Sequence, residues 1–300
     1  MNINRKQVKW LSQALGGLIS LFLLSNCSMF PAHTSGTWRV VGVYNEDHSI
    51  MTAGFLNEQV VATGGVLGQM AYSSDGAKTW LQTNSMADCR YGMDIVSPQV
   101  IWSCGGATNV RKSVDGGKTW SVLAAFGDQT IRGPCHSASF LDENVGWLAN
   151  SGIFGTTTNG GVSWNMRSIP ESAHKIATID TYLAGEGFLL DQNGVLFFTR
   201  DDGRHWRKAG QLESGTVSMS RSAYQLVAMR FSDSEHGLIV VSPGDYGNKG
   251  QVIAFHTSNG GKTWDSEPVP VPAGQVYLSR QGFLTVITAY DQLTLLRYEE

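Results

Sequence analysis

One eight-residue unit recurs five times along this 300-residue chain, and that repetition constrains the fold more than any other feature. The copies are SSDGAKTW at Ser73–Trp80, SVDGGKTW at Ser113–Trp120, TTNGGVSW at Thr157–Trp164, TRDDGRHW at Thr199–Trp206 and TSNGGKTW at Thr257–Trp264. Their starts lie 40, 44, 42 and 58 residues apart, the spacing of a chain assembled from stacked supersecondary units. Each unit has its own physical logic. The Asp or Asn at the third position (Asp75, Asp115, Asn159, Asp201, Asn259) offers an oxygen to backbone N–H groups, and the Gly residues supply positive φ. The closing Trp (Trp80, Trp120, Trp164, Trp206, Trp264) leaves the turn to pack between sheets. Ala77 stands where the other four copies have Gly, so the first turn is expected to be the most strained.

These units resemble Asp boxes, or BNR repeats, which sit on the hairpin between the third and fourth strands of β-propeller blades. The residues ahead of each box independently read as two strands joined by a turn, as in EGFLLDQNGVLFF at 186–198 and GWLANSGIFG at 146–155. Strand, turn, strand, box, strand makes one blade. The long fourth interval is expected to hold one blade with insertions at 211–223 and 243–250. After Trp264, strands around Val276, Phe283–Thr288 and Leu293–Tyr298 supply three quarters of a further blade, and Trp38–Tyr44 supplies its missing outer strand. That pairing closes the ring and removes an exposed edge. The expectation is an all-β propeller of four-stranded blades, six by count, with seven as the alternative.

Composition agrees. Apolar residues make up 42% and charged residues 16%, with 35 Gly and 9 Trp, which excludes a disordered, coiled-coil or collagen-like chain. Arg5, Lys6 and Lys9 are the only charges before Cys27; without them 19 basic face 25 acidic side chains, a balance unsuited to nucleic acid. Those three residues, the apolar stretch Leu11–Leu24 and the ending Leu24-Ser25-Asn26-Cys27 resemble a bacterial lipoprotein signal. The resulting division is a signal peptide at 1–26, a tether at 27–35 with Cys27 lipidated, and the propeller at 36–300. Ser28 after Cys27 favours the periplasmic face of the outer membrane, or the thylakoid lumen in a cyanobacterial host.

The box carboxylates are read as structural, so function is sought at the opposite end of the ring, where the loops entering the innermost strands surround the channel mouth. Arg90, Arg132, His136, His174, Lys175 and Tyr224 fall there, with His48 and Tyr277, as a polar and partly basic binding surface. No catalytic residue, metal or cofactor is assigned. Ile131-Arg132-Gly133-Pro134 is a poor match to the sialidase start motif and follows the second box. Asp47, Asp88, Glu171 and Asp245 are not paired as a glycosidase would need. A GxSxG motif is absent, and the His residues lack ligand spacing.

Gly146-Trp147 leading to Gly161 and Trp164, Ile101-Trp102 leading to Trp120, and Gly237 leading to Trp264 resemble the blades of the Ycf48/Hcf136 family over most of 45–300. The resemblance implies a lumenal or envelope factor that binds another protein and assists its assembly, photosystem II in photosynthetic hosts. It also implies seven blades and an arginine-rich patch, matched here loosely by Arg90 and Arg132. The reading is therefore a non-enzymatic, lipid-tethered propeller that acts as a monomer on a protein partner and assists its assembly; the alternative is a carbohydrate-active enzyme or lectin using the same mouth. Lipidation of Cys27 leaves Cys89, Cys104 and Cys135. A Cys89–Cys104 bridge is favoured for its short loop, with Cys89–Cys135 and Cys104–Cys135 as competitors.

Overall fold

The structure is a computed structural model; it describes residues 36–45, 49–65, 68–84, 92–105, 109–124, 135–150, 152–213, 226–244, 250–289 and 291–299. Its 24 strands form six four-stranded antiparallel sheets, the blades of a six-bladed propeller. Blade 1 comprises β2 (Thr52–Phe55) to β5 (Leu81–Asn84), and blade 2 β6 (Gly92–Ile95) to β9 (Ser121–Ala124). Blade 3 runs from β10 (Ser137–Phe140) through β11 (Gly146–Ala149) to β13 (Asn165–Ser168). Blade 4 holds β14 (Ile176–Leu183), β15 (Glu186–Asp191), β16 (Val195–Thr199) and β17 (Arg207–Gln211). Blade 5 spans β18 (Val227–Phe231) to β21 (Asp265–Pro272), so the long interval between boxes does hold a single blade.

Blade 6 is split. β22 (Gln275–Leu278), β23 (Phe283–Ala289) and β24 (Gln292–Glu299) come from the C-terminal end, and β1 (Thr37–Asn45) from the other end pairs antiparallel with β24. Trp38 lies opposite Tyr298 and Tyr44 opposite Leu293. The outer strand expected at Trp38–Tyr44 is thus present, one residue longer at each end.

Six apolar clusters fill the six gaps between neighbouring blades, and the two-residue side-chain period of a strand explains how one blade feeds two of them. In β15, Phe188 and Leu190 pack toward blade 5, whereas Leu189 packs toward blade 3. Each box Trp is half-buried against the gap shared with the preceding blade: Trp120 with Met93 and Ile101, Trp206 with Trp147 and Phe154, Trp264 with Phe231 and Ile239. Blade 6 has no box, and there Trp38 of the closing strand fills the gap to blade 5. The glycine that opens the second strand of blade 3 has a steric reason: a Cβ on Gly146 would collide with the ring of Phe140, its cross-strand partner.

The bridge differs from the one favoured by loop length. Cys104 is bonded to Cys135, with Cα atoms 5.6 Å apart, and not to Cys89, which lies outside the described residues. The reason is the blade geometry. Cys104 ends β7 (Ile101–Cys104) opposite Gly92, where an added Cβ would meet its sulfur at 2.8 Å, and it belongs to the gap between blades 2 and 3 that also contains Cys135. The bridge joins neighbouring blades, where a hairpin argument within one blade had placed it.

Candidate functional site

The ring has two ends. One carries the five boxes and the turns between first and second strands; the other carries the loops that enter each innermost strand.

At the box end every unit closes on itself in the same way. In box 2 the Ser113 hydroxyl donates to Asp115 Oδ1 (2.8 Å) and accepts the Gly117 N–H (2.8 Å). Asp115 Oδ1 also accepts the Thr119 N–H (2.9 Å), and Oδ2 accepts the Thr119 hydroxyl (2.6 Å). Box 1 repeats this through Ser73, Asp75 and Thr79. In box 4, Asp201 takes the His205 N–H and contacts Nδ1 of its ring. Where Asn replaces Asp, the direction of one bond reverses: Asn159 Nδ2 donates to the Ser163 hydroxyl, and Asn259 Nδ2 to that of Thr263. Hydrogen bonds from Thr79, first its hydroxyl and then its N–H, hold the Asp75 carboxyl down to about 2. Thr119 does the same for Asp115, and the His205 N–H leads for Asp201, both also about 2. Each of these carboxylates already serves a turn.

Strain is shared by two boxes. Positions four and five of every unit have positive φ, filled by Gly except for Ala77 (φ 61°) and Asp202 (φ 57°). The N–H of the fourth residue donates to the turn between the first two strands of its own blade, as Gly116 does to Gln99 O and Asp202 to Gly185 O. The Ala77 strain was legible; Asp202 was masked by its neighbour Asp201, to which the motif aligns.

The channel at this end is closed by a network that sequence reasoning missed. Asp94 of β6 and Asp180 of β14 are the only carboxylates on the six innermost strands, and both are buried against Arg230 of β18. Arg230 lies 2.9 Å from Asp180 Oδ1 through Nη1 and 3.4 Å from Asp94 Oδ1 through Nη2. Burial alone would lower the Arg230 pKa, and the two carboxylates more than reverse it, leaving it raised. The second oxygen of each Asp accepts a backbone N–H from the innermost strand of the blade after it, Asp94 from Phe140 and Asp180 from Phe231, both at 2.7 Å. Ser139 donates to Asp180 Oδ1 at 2.8 Å. Arg280, in the turn after β22, reaches across the ring from blade 6: Nη2 donates to Thr181 O (2.7 Å) and to Ser139 Oγ (3.1 Å), and Nε donates to Phe140 O. Blades 2 to 6 are stitched together here. A cavity of about 30 Å³ remains in the channel, lined by Ala53, Gly54, Gly92, Ser137, Ala138 and Thr178 among others, enough to hold water.

At the rim end, His174 and Lys175 are exposed immediately before β14. The His174 N–H donates to Asp191 Oδ2 (2.9 Å) and the Lys175 carbonyl accepts the Gln192 N–H (2.9 Å), so the backbone is held while both side chains face solvent. His136 precedes β10 and is half-buried; burial pushes its imidazole below the ordinary histidine value. Tyr277 does not join the rim: it is buried in β22, its single phenolic proton within reach of Met51 O and of Gln275 Oε1, both 2.9 Å from the hydroxyl. Its phenol serves core packing, because the innermost strand turns it toward blade 1. Arg90, Arg132, Tyr224, His48 and Cys27 lie outside the described residues.

No protein-family model matches the chain. A probable oligoxyloglucan-reducing end-specific xyloglucanase of Neosartorya fischeri is 23% identical over 228 residues, 66% of this chain and 27% of that enzyme. The chain thus spans about a quarter of the curated relative it matches. Among solved structures, YCF48 from Cyanidioschyzon merolae superposes with a TM-score of 0.53 at 16% identity, covering 87% of this chain and 98% of that one. YCF48 bound to a D1 peptide gives 0.54 at 16% identity, covering 90% and 100%. At such identities the likeness establishes the β-propeller fold.

Proposed function

We propose that this propeller is a non-enzymatic, Ycf48-like binding protein whose rim engages another protein of the cell envelope or thylakoid lumen and assists its assembly, photosystem II in a photosynthetic host. The observation that carries the reading is the state of the channel carboxylates. Asp94 and Asp180 are both committed to Arg230 and to backbone N–H groups, whereas glycoside hydrolysis needs two accessible carboxyl groups facing a substrate. Among the described residues every Phe, Tyr and Trp side chain is buried or half-buried. The exposed His174 and Lys175 suit a peptide or acidic group, and the likeness to YCF48 bound to a D1 peptide supports a protein ligand. Cys27 lipidation would keep a monomer beside its client, with 1–26 removed, 27–35 as the tether and the propeller facing the periplasm or lumen.

The second reading, a carbohydrate-active propeller, draws on the xyloglucanase relative and on an ancestral GH74 enzyme that superposes with a TM-score of 0.55 at 13% identity, covering 88% of this chain and 40% of that one. One experiment separates them. Membranes of the source organism are crosslinked with the tethered protein and with Lys175→Glu, and both purified proteins are assayed for reducing ends released from xyloglucan oligosaccharides. The proposal expects a captured protein that Lys175→Glu loses and no sugar release. Sugar release by the unaltered protein, or capture indifferent to Lys175, overturns it.

A further inference from the structure

The chain contains three Asn-Gly dipeptides, the sequence most prone to spontaneous deamidation because Gly leaves the attacking backbone nitrogen unhindered: Asn159-Gly160, Asn193-Gly194 and Asn259-Gly260. The fold treats them differently. Asn159 and Asn259 are the third residues of boxes 3 and 5. The Asn159 carboxamide is held at both ends: Oδ1 accepts the Thr157 hydroxyl (3.1 Å) and the Ser163 N–H (3.0 Å), while Nδ2 donates to the Ser163 hydroxyl (2.8 Å). Asn259 repeats this with Thr257 and Thr263. In both, the Gly nitrogen that would attack is donated to the blade's inner hairpin, Gly160 to Asn144 O (2.9 Å) and Gly260 to Glu235 O (2.8 Å).

Asn193 sits elsewhere, in the hairpin between β15 and β16 at the rim end. Its backbone N–H donates to Asp191 Oδ1, but its side chain is exposed and has no hydrogen-bond partner among the described residues. Gly194 N donates within the same turn, to Asp191 O at 3.0 Å, while its carbonyl accepts the Leu212 N–H at 2.9 Å; the exposed Asn193 carboxamide therefore needs only the one Gly194 N–H bond to open before attack.

We propose that Asn193 is the deamidation site of this protein and that the boxes shield the other two. The Gly194 nitrogen bonds to Cγ of Asn193 and ammonia leaves; water then opens the cyclic imide at either carbonyl, giving Asp or isoAsp. Either product places a new negative charge in the turn that holds Lys175, whose carbonyl accepts the Gln192 N–H. On the proposed function, which this consequence rests on, that charge offsets the basic rim and weakens capture of an acidic partner as the protein ages.

The test needs no partner. The purified protein is incubated at mildly alkaline pH, native and in denaturant, and the three Asn-Gly peptides are followed by mass spectrometry for amide-to-acid conversion and isoAsp. In the native protein the two box peptides should convert at least about tenfold more slowly than the Asn193 peptide, since several hydrogen bonds must open first; in denaturant the three rates should converge. Asn193→Gln should abolish conversion at the rim and leave the box peptides unchanged. Equal native rates, or conversion at Asn159 or Asn259 ahead of Asn193, overturns the proposal, and neither result bears on whether the rim binds a protein.

Discussion

The box end and the rim end of this ring are built from the same strands, yet they differ in how their polar groups are used. At the box end the turn and channel carboxylates have fixed internal partners, while Lys78, Lys118, Arg204 and Lys262 are exposed. Asp75, Asp115 and Asp201 are spent on their turns, and Asp94, Asp180, Arg230 and Arg280 on each other and on backbone groups of several blades. At the rim, His174 and Lys175 are anchored through backbone while their side chains reach solvent. The lesson is that a carboxylate or guanidinium near a propeller axis is not by itself a sign of chemistry; what it is bonded to decides.

The sharpest way to break this comparison is to empty the network. Arg230→Leu leaves Asp94 and Asp180 buried without their cation and should cost about 3–5 kcal/mol, read from denaturant melts. A loss within experimental error would mean that the network does not hold the ring.

Trp120→Ala comes next. Its ring is half-buried against Met93 and Ile101, so the loss should fall below the range of a fully buried Trp, about 2–3 kcal/mol. Lys175→Ala, at the other end, should stay within about 0.5 kcal/mol of the unaltered protein. Equal losses at the two positions would erase the distinction between the ends.

A smaller effect concerns acid. Asp75, Asp115 and Asp201 have folded pKa values held down to about 2, below the ordinary carboxylate value, so their contribution is fully present above about pH 4 and is lost as pH falls toward about 2. The triple variant Asp75→Asn, Asp115→Asn, Asp201→Asn should fold, since boxes 3 and 5 already use Asn, and its melting temperature should fall less between pH 5 and pH 3 than that of the unaltered protein. An unchanged acid slope would show that the box carboxylates are not stabilised by their turns.

Sequence and structure met where the chemistry repeats. Five boxes at a near-constant period made the blades countable, and Trp38–Tyr44 was recognisable as the closing strand because an apolar stretch was left over at one end of the chain and a blade was short of a strand at the other. The channel network was not legible. Asp94 and Asp180 stand alone in short apolar strands, GMDI and IATIDTYL, and Arg230 in VAMRF, with no spacing to link residues that lie 50 to 136 positions apart until the ring closes. A lone charge inside an otherwise apolar innermost strand was the available signal, since such a residue must find a partner once buried. The Cys104–Cys135 bridge escaped for the same reason: it spans two blades, and contacts between blades are set by ring geometry, not by distance along the chain.

The central claim, that the rim is the functional end, is tested most directly by placing the same photo-crosslinking side chain once at Lys175 on the rim and once at Lys118 in box 2, in the tethered protein within its own membranes. The account predicts that the probe at 175 yields a discrete crosslinked protein and the probe at 118 yields none above background. A discrete product from 118 with none from 175 would contradict it.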